Sequence, residues 1–142
     1  MSGPESVIAA SALLDWVAQA LDLPEKFHSS STGGGVIQDS ASSAGVCALL
    51  AARERTTGFA SNEEGTQGQL VAYTSTQAHS SIEKAVMITG VGREQLRLIS
   101  VDENFAMRPD ALAAQIEADK GVGLQPCFVT ATVGTTSSNA LD

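Results

Sequence analysis

The sequence predicts an α/β fold in which helices cover a parallel sheet. Three short apolar segments have the composition of buried strands, namely Leu70–Thr74, Leu96–Val101 and Pro126–Val133. Segments with apolar residues three and four positions apart lie between them and indicate helices. Strands that alternate with helices in this way form parallel sheets, because each helix carries the chain back to the edge where the next strand begins.

The amino-terminal part of the chain has a different character. The segment Glu5–Leu21 has helical spacing of its apolar residues, and Pro24 ends it. A polar connection follows as far as Thr32. We therefore predict two parts, an amino-terminal helix with its linker in residues 1–32 and a partial α/β domain in residues 33–142.

A glycine–serine stretch introduces the α/β part. Gly33–Gly35 precede the small hydroxyl residues Ser40–Ser43, and a helix is predicted from Ser43 to about Arg55. Backbone N–H groups at a helix amino terminus can bind a phosphate without a lysine or arginine. A serine at this point also serves as an N-cap with no ligand at all, and on this stretch alone the cap is the favoured interpretation.

The remaining elements follow in order. Thr56–Gln69 has the composition of an exposed loop. A helix begins after His79 and ends at Gly90 or Gly92, and Ile82, Ala85, Val86 and Ile88 are predicted to lie in its interior. A further helix begins at Pro109 and ends at Gly121 or Gly123. The third strand is apolar throughout, as expected for a strand covered on both faces.

Composition excludes several classes of function. At 142 residues the chain has the length of one domain, and its formal net charge of −8 argues against a nucleic-acid partner. Cys47 and Cys127 lie in apolar segments and are predicted to be reduced, buried thiols without metal-ligand spacing. Neither a signal peptide nor a membrane span is expected, so a cytoplasmic location is predicted.

Three polar clusters lie where open α/β sheets bind ligands, beyond the carboxyl ends of strands. They are Ser40–Ser43, the segment Ser75–Ser81 around His79, and Thr135–Ser138. Each cluster alone is also explained by a helix cap or a turn. Their common placement favours a binding site over three unrelated caps and turns.

Several short motifs carry a resemblance to a known family. They are Gly35-Val36-Ile37-Gln38 with Ser40-Ala41-Ser42, Gln77–Ser81, Asp102–Arg108 and Ala131–Thr136, together with the helix around Leu14-Asp15-Trp16. In this order they resemble the group II pyridoxal-phosphate-dependent decarboxylases, especially the aromatic-L-amino-acid decarboxylase branch. The resemblance implies the large domain of a fold-type I enzyme, a homodimer when complete, and a carboxy-lyase acting on aromatic L-amino acids with pyridoxal 5′-phosphate (PLP).

The resemblance also assigns roles by position. Ser40, Ala41 and Ser42 would hold the cofactor phosphate through backbone N–H groups and hydroxyls. His79, the candidate catalytic residue, would stack its imidazole on the pyridine ring, and Thr136 would line the pocket beside it. These roles agree with the chemistry of PLP, which needs an anchored phosphate and a fixed ring to accept electrons from the substrate.

The sequence also departs from the family pattern. In the family, the aspartate that pairs with the pyridine nitrogen and the Schiff-base lysine both follow the threonine turn, whereas this sequence reaches only Asp142. Its lysines, Lys26, Lys84 and Lys120, lie in contexts unlike the family's lysine segment. We therefore expect an amino-terminal fragment with an incomplete PLP-binding domain that is inactive alone.

The sequence differs from the family at two positions near the phosphate segment, and two alternative functions stay open. Asp39 and Ser43 stand where the family often has Gly and Glu, which changes the charge near the phosphate. The chain could instead be a domain that binds PLP or another phosphate noncovalently without catalysis. It could also be an inert remnant or dimerisation module.

Overall fold

The computed structural model describes residues 4–142, with side chains from Ala10 onward. The chain divides into two compact units, one through Asp39 and one from Ser40 to Asp142. The first unit contains helix α1 (Pro4–Ala20) and a short 3₁₀ turn, Glu25–Phe27. Gly33 lies close to this turn, because a Cβ on it would meet the carbonyl oxygen of Lys26.

The second unit is an α/β structure, as predicted. In chain order it contains α2 (Ala41–Thr57), α3 (Ser61–Glu64), β1 (Leu70–Ser75), α4 (Ser81–Ile88), β2 (Leu96–Ile99), α5 (Pro109–Gly121) and β3 (Gln125–Thr130). A 3₁₀ turn, Arg93–Gln95, precedes β2. The sheet has the order β2-β1-β3, and both pairings are parallel.

The central strand β1 is the only one of the three strands that is buried along its whole length. Its residues alternate between two apolar clusters, as the two-residue period of a strand requires. Leu70 and Ala72 pack with Leu49 of α2 and with α4 on one face. Val71 and Tyr73 pack with Ile99, Met107 and the apolar side of α5 on the other face. The sheet is therefore the middle layer between α2 and α4 on one side and α5 on the other.

Several boundaries differ from the sequence-based expectations. The third strand ends at Thr130, and Val133 is 85% exposed, pairing instead with Leu141 in an antiparallel bridge. This strand is an edge of the sheet, which explains why its apolar residues are only half-buried or, like Val129, exposed. The second strand likewise ends at Ile99 rather than Val101.

Part of the predicted exposed loop is a short helix. Ser61 begins α3 and is buried, and its hydroxyl donates to Glu54 Oε1 of α2 over 2.6 Å. This bond and a second one from Arg53 lower the pKa of Glu54. The loop prediction failed here because a polar contact between side chains seven positions apart, rather than local composition, holds the turn against α2.

Two predicted burials are also wrong. Cys47 is exposed, since α2 turns Val46 and Leu49 toward the core and Cys47 away from it. Ile88 is 69% exposed because Ile82, Ala85 and Val86 form the inner face of α4, and the buried C-cap Thr89 continues that face. Cys127 is half-buried, and burial raises the pKa of its thiol to about 11, so that it is protonated at neutral pH.

Candidate functional site

Three separate segments meet around one cleft in the second unit. Its volume is about 460 Å³, and it lies beyond the carboxyl ends of β1 and β3. The residues that line it are Ala41, Ser42, His79, Ser81, Ile82, Thr130, Ala131, Thr132, Val133 and Thr136. Four of the five residues predicted for the site, Ala41, Ser42, His79 and Thr136, are thus brought together from three segments that are far apart in the sequence.

The fifth residue, Ser40, is the N-cap of helix α2. Its side-chain oxygen accepts from the Ser43 N–H over 3.2 Å, and Ser43 Oγ accepts from the Ser40 N–H over 3.3 Å. This reciprocal pair is a capping box, with Ser43 in the position where glutamate or glutamine usually occurs. The hydroxyl of Ser40 therefore caps the helix, and Ser40 does not line the cleft.

The hydrogen bonds of the capping box do not use the backbone N–H groups of Ala41 and Ser42. The Ser43 N–H is bonded to the cap, and the Ala44 N–H donates to the Ser40 carbonyl over 3.0 Å. The N–H groups of Ala41 and Ser42 belong to the first turn, where the helix itself provides no acceptors. Both residues are exposed and line the cleft, so a phosphate placed there would find donors at the positive end of the helix dipole.

His79 lies between β1 and α4. Its Nδ1 accepts a hydrogen bond from the Ser81 N–H over 3.2 Å, which fixes the ring at the amino terminus of α4. Because Nδ1 is the acceptor, the proton of the neutral imidazole resides on Nε2. The cap interpretation and the ring-stacking interpretation are therefore compatible, since one nitrogen bonds the backbone while the ring lines the cleft.

The segment after β3 folds back on itself. The N–H groups of Gly134 and Thr135 both donate to the Ala140 carbonyl over 3.0 Å, and Thr135 Oγ1 accepts from the Ala140 N–H over 3.1 Å. Gly134 has a φ of 83°, a conformation that a glycine adopts without strain. Thr135 is buried in this turn, which leaves the neighbouring Thr136 exposed at the cleft.

Sequence reasoning missed Thr130 and Asp142. Thr130 lines the cleft, and its Oγ1 is buried without a hydrogen-bond partner among the described residues. Its only signal in the sequence was a hydroxyl in an otherwise apolar strand. Asp142 accepts hydrogen bonds from three different segments, and no local pattern could predict those contacts.

Charge is scarce at the cleft. Neither lysine nor arginine occurs among its lining residues within positions 4–142, so backbone N–H groups and hydroxyls are the available donors. Lys84 lies on α4 outside the lining, and Lys120 pairs with Glu117 at the end of α5. Across the part of the chain that the structure describes, no group of three His, Cys, Asp or Glu side chains could hold a metal ion.

Within residues 4–142, none of the helices is long and apolar enough to span a membrane.

Comparisons with known proteins agree on one family. The pyridoxal-dependent decarboxylase conserved domain matches residues 1–142. The chain is 47% identical over 139 residues to histidine decarboxylase from Mus musculus, a match that covers 92% of this chain and 20% of that protein. It is 44% identical over 149 residues to aromatic-L-amino-acid decarboxylase from the same organism, covering 99% of this chain and 30% of the relative.

A solved structure shares the fold. The crystal structure of Oryza sativa TDC with PLP and tryptamine superposes with a TM-score of 0.84 at 37% identity, covering 99% of this chain and 29% of that one. The chain therefore spans between 20% and 30% of the lengths of these proteins.

Proposed function

The chain belongs to the pyridoxal-dependent decarboxylase family, and on that premise we propose that it forms the phosphate- and ring-binding part of the cleft of an amino-acid decarboxylase. PLP is the cofactor of this family, and the reaction class is that of a carboxy-lyase. The observation that carries the proposal is the convergence of Ala41, Ser42, His79 and Thr136 on one cleft from three segments of the chain.

The residues of the cleft fit the cofactor. The Ala41 and Ser42 N–H groups suit a phosphate dianion, because α2 is seventeen residues long and directs its amino terminus there. Thr130 belongs to the wall of the cleft, and its buried hydroxyl has no hydrogen-bond partner among the described residues. Without cationic side chains in the lining, binding depends on directed N–H donors rather than on net charge.

Each residue has a separate task in the proposed mechanism. PLP, when bound, supplies an electron sink for the electron pair left as the substrate carboxylate departs. Ala41 and Ser42 would hold the phosphate through their N–H groups, and the His79 imidazole, whose Nδ1 is bonded to the Ser81 N–H, would cover one face of the pyridine ring. Thr136 lines the side of the cleft and would lie beside the ring.

We also propose that the lysine linked to the cofactor lies in a segment outside these 142 residues. None of Lys26, Lys84 and Lys120 is among the cleft residues of the described chain. Borohydride treatment of the 142-residue chain with PLP, followed by peptide mapping, should reveal no stoichiometric adduct on these lysines. A specific adduct accompanied by turnover would show that this part of the proposal is wrong.

Aromatic L-amino acids are the proposed substrates, and the complete protein is proposed to act as a homodimer. The motifs from Gln77 to Ser81 and from Ala131 to Thr136 support the aromatic branch. Sequence identity alone does not separate the branches, since the histidine and the aromatic decarboxylases are 47% and 44% identical to this chain. The cytoplasmic location stays a prediction.

The test uses the full-length protein with and without PLP. Tryptophan, tyrosine, 3,4-dihydroxyphenylalanine and histidine are supplied separately, and carbon dioxide and the amine are both measured. Amine formation that requires PLP and favours the aromatic substrates supports the proposal. PLP binding without turnover favours the noncovalent binding domain, and neither binding nor turnover favours the inert remnant.

A further inference from the structure

We propose that Asp142 is a positioning residue for this cleft, holding the segment after β3 and the end of β1 in the arrangement that binds the cofactor. This inference rests on the proposed function, because it assigns a task within the same cleft. Asp142 does not line the cleft, so it would act through the residues it holds.

The carboxylate of Asp142 receives hydrogen bonds from three segments. Its Oδ1 accepts from the Met107 N–H over 2.8 Å, in the connection between β2 and α5. Its Oδ2 accepts from the Thr132 N–H over 3.0 Å and from the Ser75 hydroxyl over 3.2 Å. These donors lie just after β3 and at the last residue of β1, so one side chain joins the carboxyl ends of two neighbouring strands.

The contact with Thr132 is reciprocal. The Asp142 N–H donates to the Thr132 carbonyl over 2.9 Å, while the Asp142 carboxylate accepts from the Thr132 N–H. Asp142 therefore closes the segment 132–142, which contains the turn that exposes Thr136. Thr132 itself lines the cleft. Loss of the hydrogen bonds between Asp142 and Thr132 would therefore move one wall of the cleft.

The hydrogen bond from Ser75 connects the Asp142 carboxylate to the opposite wall of the cleft. It is the last residue of β1, it is buried, and the chain continues from it to His79. By anchoring Ser75 and Thr132 together, the carboxylate links the backbone that carries His79 to the backbone that carries Thr136. Two further hydrogen bonds join the same part of the sheet, from the Ser137 hydroxyl to Gln77 Oε1 over 3.5 Å and from the Thr74 hydroxyl to the Thr130 carbonyl over 3.2 Å.

The chemistry of these contacts requires a carboxylate. Backbone N–H groups approach both oxygens, Met107 at Oδ1 and Thr132 at Oδ2. An asparagine of the same size presents one oxygen and one NH₂ group, and in either orientation the NH₂ faces an N–H donor. Asp142→Asn therefore keeps the size of the side chain and loses at least one of the two backbone contacts.

The experiment compares Asp142→Asn with Asp110→Asn in the full-length protein. Asp110 is an exposed aspartate at the start of α5 that pairs with Arg108, so its substitution makes the same change of charge away from the cleft. The readouts are the dissociation constant of PLP, the circular dichroism of bound PLP per mole bound, the melting temperature and amide hydrogen exchange without PLP.

We expect Asp142→Asn to weaken PLP binding about tenfold, an estimate equal to the loss of one hydrogen bond, and to change the dichroism of the bound cofactor. The Thr132 and Met107 amides should exchange faster, while the amides of β1 remain protected. Asp110→Asn should resemble the wild type in each respect. A purely structural role would lower the melting temperature and leave the dichroism of the bound cofactor unchanged.

Ser75→Ala provides a milder variant, because it removes one hydroxyl donor and leaves both backbone contacts in place. Its effects should lie between those of Asp142→Asn and the wild type. The proposal is overturned if Asp142→Asn leaves PLP affinity, dichroism and the exchange of Thr132 and Met107 unchanged. If the wild type itself fails to bind PLP, the proposed function is wrong, and the exchange measurement still decides whether Asp142 holds the wall.

Discussion

At the scale of single residues, His79 has two contacts with different consequences. Its Nδ1 is bonded to the Ser81 N–H, and its ring lines the cleft. Replacing His79 with alanine removes the flat face that would cover the cofactor. Since a stacked aromatic pair contributes about 0.5–1.5 kcal/mol, we expect PLP affinity to fall about 2- to 10-fold, with lower turnover. A spectrophotometric PLP titration measures the first effect.

Two variants serve as controls for His79→Ala. His79→Phe keeps a flat ring and loses the Nδ1 acceptor, so it should retain most of the affinity. Ser42→Ala should have a milder effect than His79→Ala, because the backbone N–H groups still hold the phosphate. If His79→Ala leaves both turnover and the cofactor spectrum unchanged, the stacking role is wrong.

The stability of the second unit depends on pH through the carboxylate of Asp119. Burial opposes its ionisation, but hydrogen bonds from Arg97, Gln115 and Tyr73 outweigh that effect and lower its pKa. The carboxylate therefore stabilises the fold above about pH 4, the pKa of an unfolded aspartate. This contribution is lost as the pH falls through the lower pKa of the folded state.

The substitution Asp119→Asn should thus lower the free energy of unfolding at pH 7 by about 3 kcal/mol, because it leaves the Arg97 guanidinium unpaired. The loss should be smaller near pH 3. Urea unfolding of the full-length protein at both pH values checks this, with Glu117→Gln on the exposed side of the same helix as the control. An equal loss at pH 3 and pH 7 would contradict the linkage.

At the scale of elements, two serines at the amino terminus of α2 have different roles, one as a helix cap and one as a proposed ligand-binding residue. The Ser40 hydroxyl belongs to the capping box, whereas Ser42 lines the cleft. Ser40→Ala should therefore lower the free energy of unfolding by about 1 kcal/mol. Ser42→Ala should leave stability nearly unchanged and weaken PLP binding slightly. Urea unfolding and PLP titration of the two variants of the full-length protein would give the opposite pattern if Ser40 were the phosphate ligand.

The sequence predicted those elements whose local pattern and burial agree. Leu70–Thr74 was recognised as a buried strand because it is apolar, and it is the central strand β1. Pro109 marked the beginning of α5 because its ring fits the first helical turn. The failures have causes that the local composition does not show. Helix α3 depends on the contact of Ser61 with Glu54, seven positions away, and the exposure of Val129 depends on its place at the sheet edge.

At the scale of the whole molecule, both edges of the sheet are unpaired among the described residues, because β2 and β3 are the outer strands. Leu98 and Val129 on these strands are 62% and 44% exposed, and Met87 and Ile88 of α4 are exposed as well. Bare edges with apolar side chains favour pairing with other chains. We therefore expect the 142-residue chain by itself to self-associate, to bind hydrophobic dyes and to lack a sharp thermal transition.

Sedimentation velocity and calorimetry test this expectation. Leu98→Lys places a charge on the β2 edge, which should reduce association if edge pairing is the cause. A monodisperse wild-type monomer with a cooperative melt would contradict the expectation. It would also favour the alternative that the chain is a self-sufficient domain that binds PLP noncovalently.

The sequence predicted the site residues that lie in short local motifs. It did not predict the contacts that join distant segments to form the site. Ser42, His79 and Thr136 each lie in a short segment that resembles a family motif. His79 and Thr136 follow the parallel neighbours β1 and β3, whereas Ser42 reaches the same cleft from the first turn of α2, with no strand before it in the described chain. Asp142 contacts residues 10, 35 and 67 positions away. Contacts at such separations follow from the folded sheet and leave no signal in a local pattern.

The central claim is that the amino terminus of α2 holds the cofactor phosphate through backbone N–H groups. Ala41 is the first residue of that helix, where proline is tolerated because the helix needs no donor there. Ser40 is already extended, as the residue before a proline must be. Ala41→Pro thus removes one proposed donor while keeping the helix, and Ala41→Gly keeps the donor.

The most direct test is the PLP dissociation constant of the full-length wild type and these two variants. A hydrogen bond to a charged group contributes about 1.5–3 kcal/mol, so Ala41→Pro should bind PLP about 10- to 100-fold more weakly. Ala41→Gly should bind it nearly as well as the wild type, and both variants should unfold at similar urea concentrations. Equal affinity of Ala41→Pro and the wild type would show that the phosphate is not held at this helix.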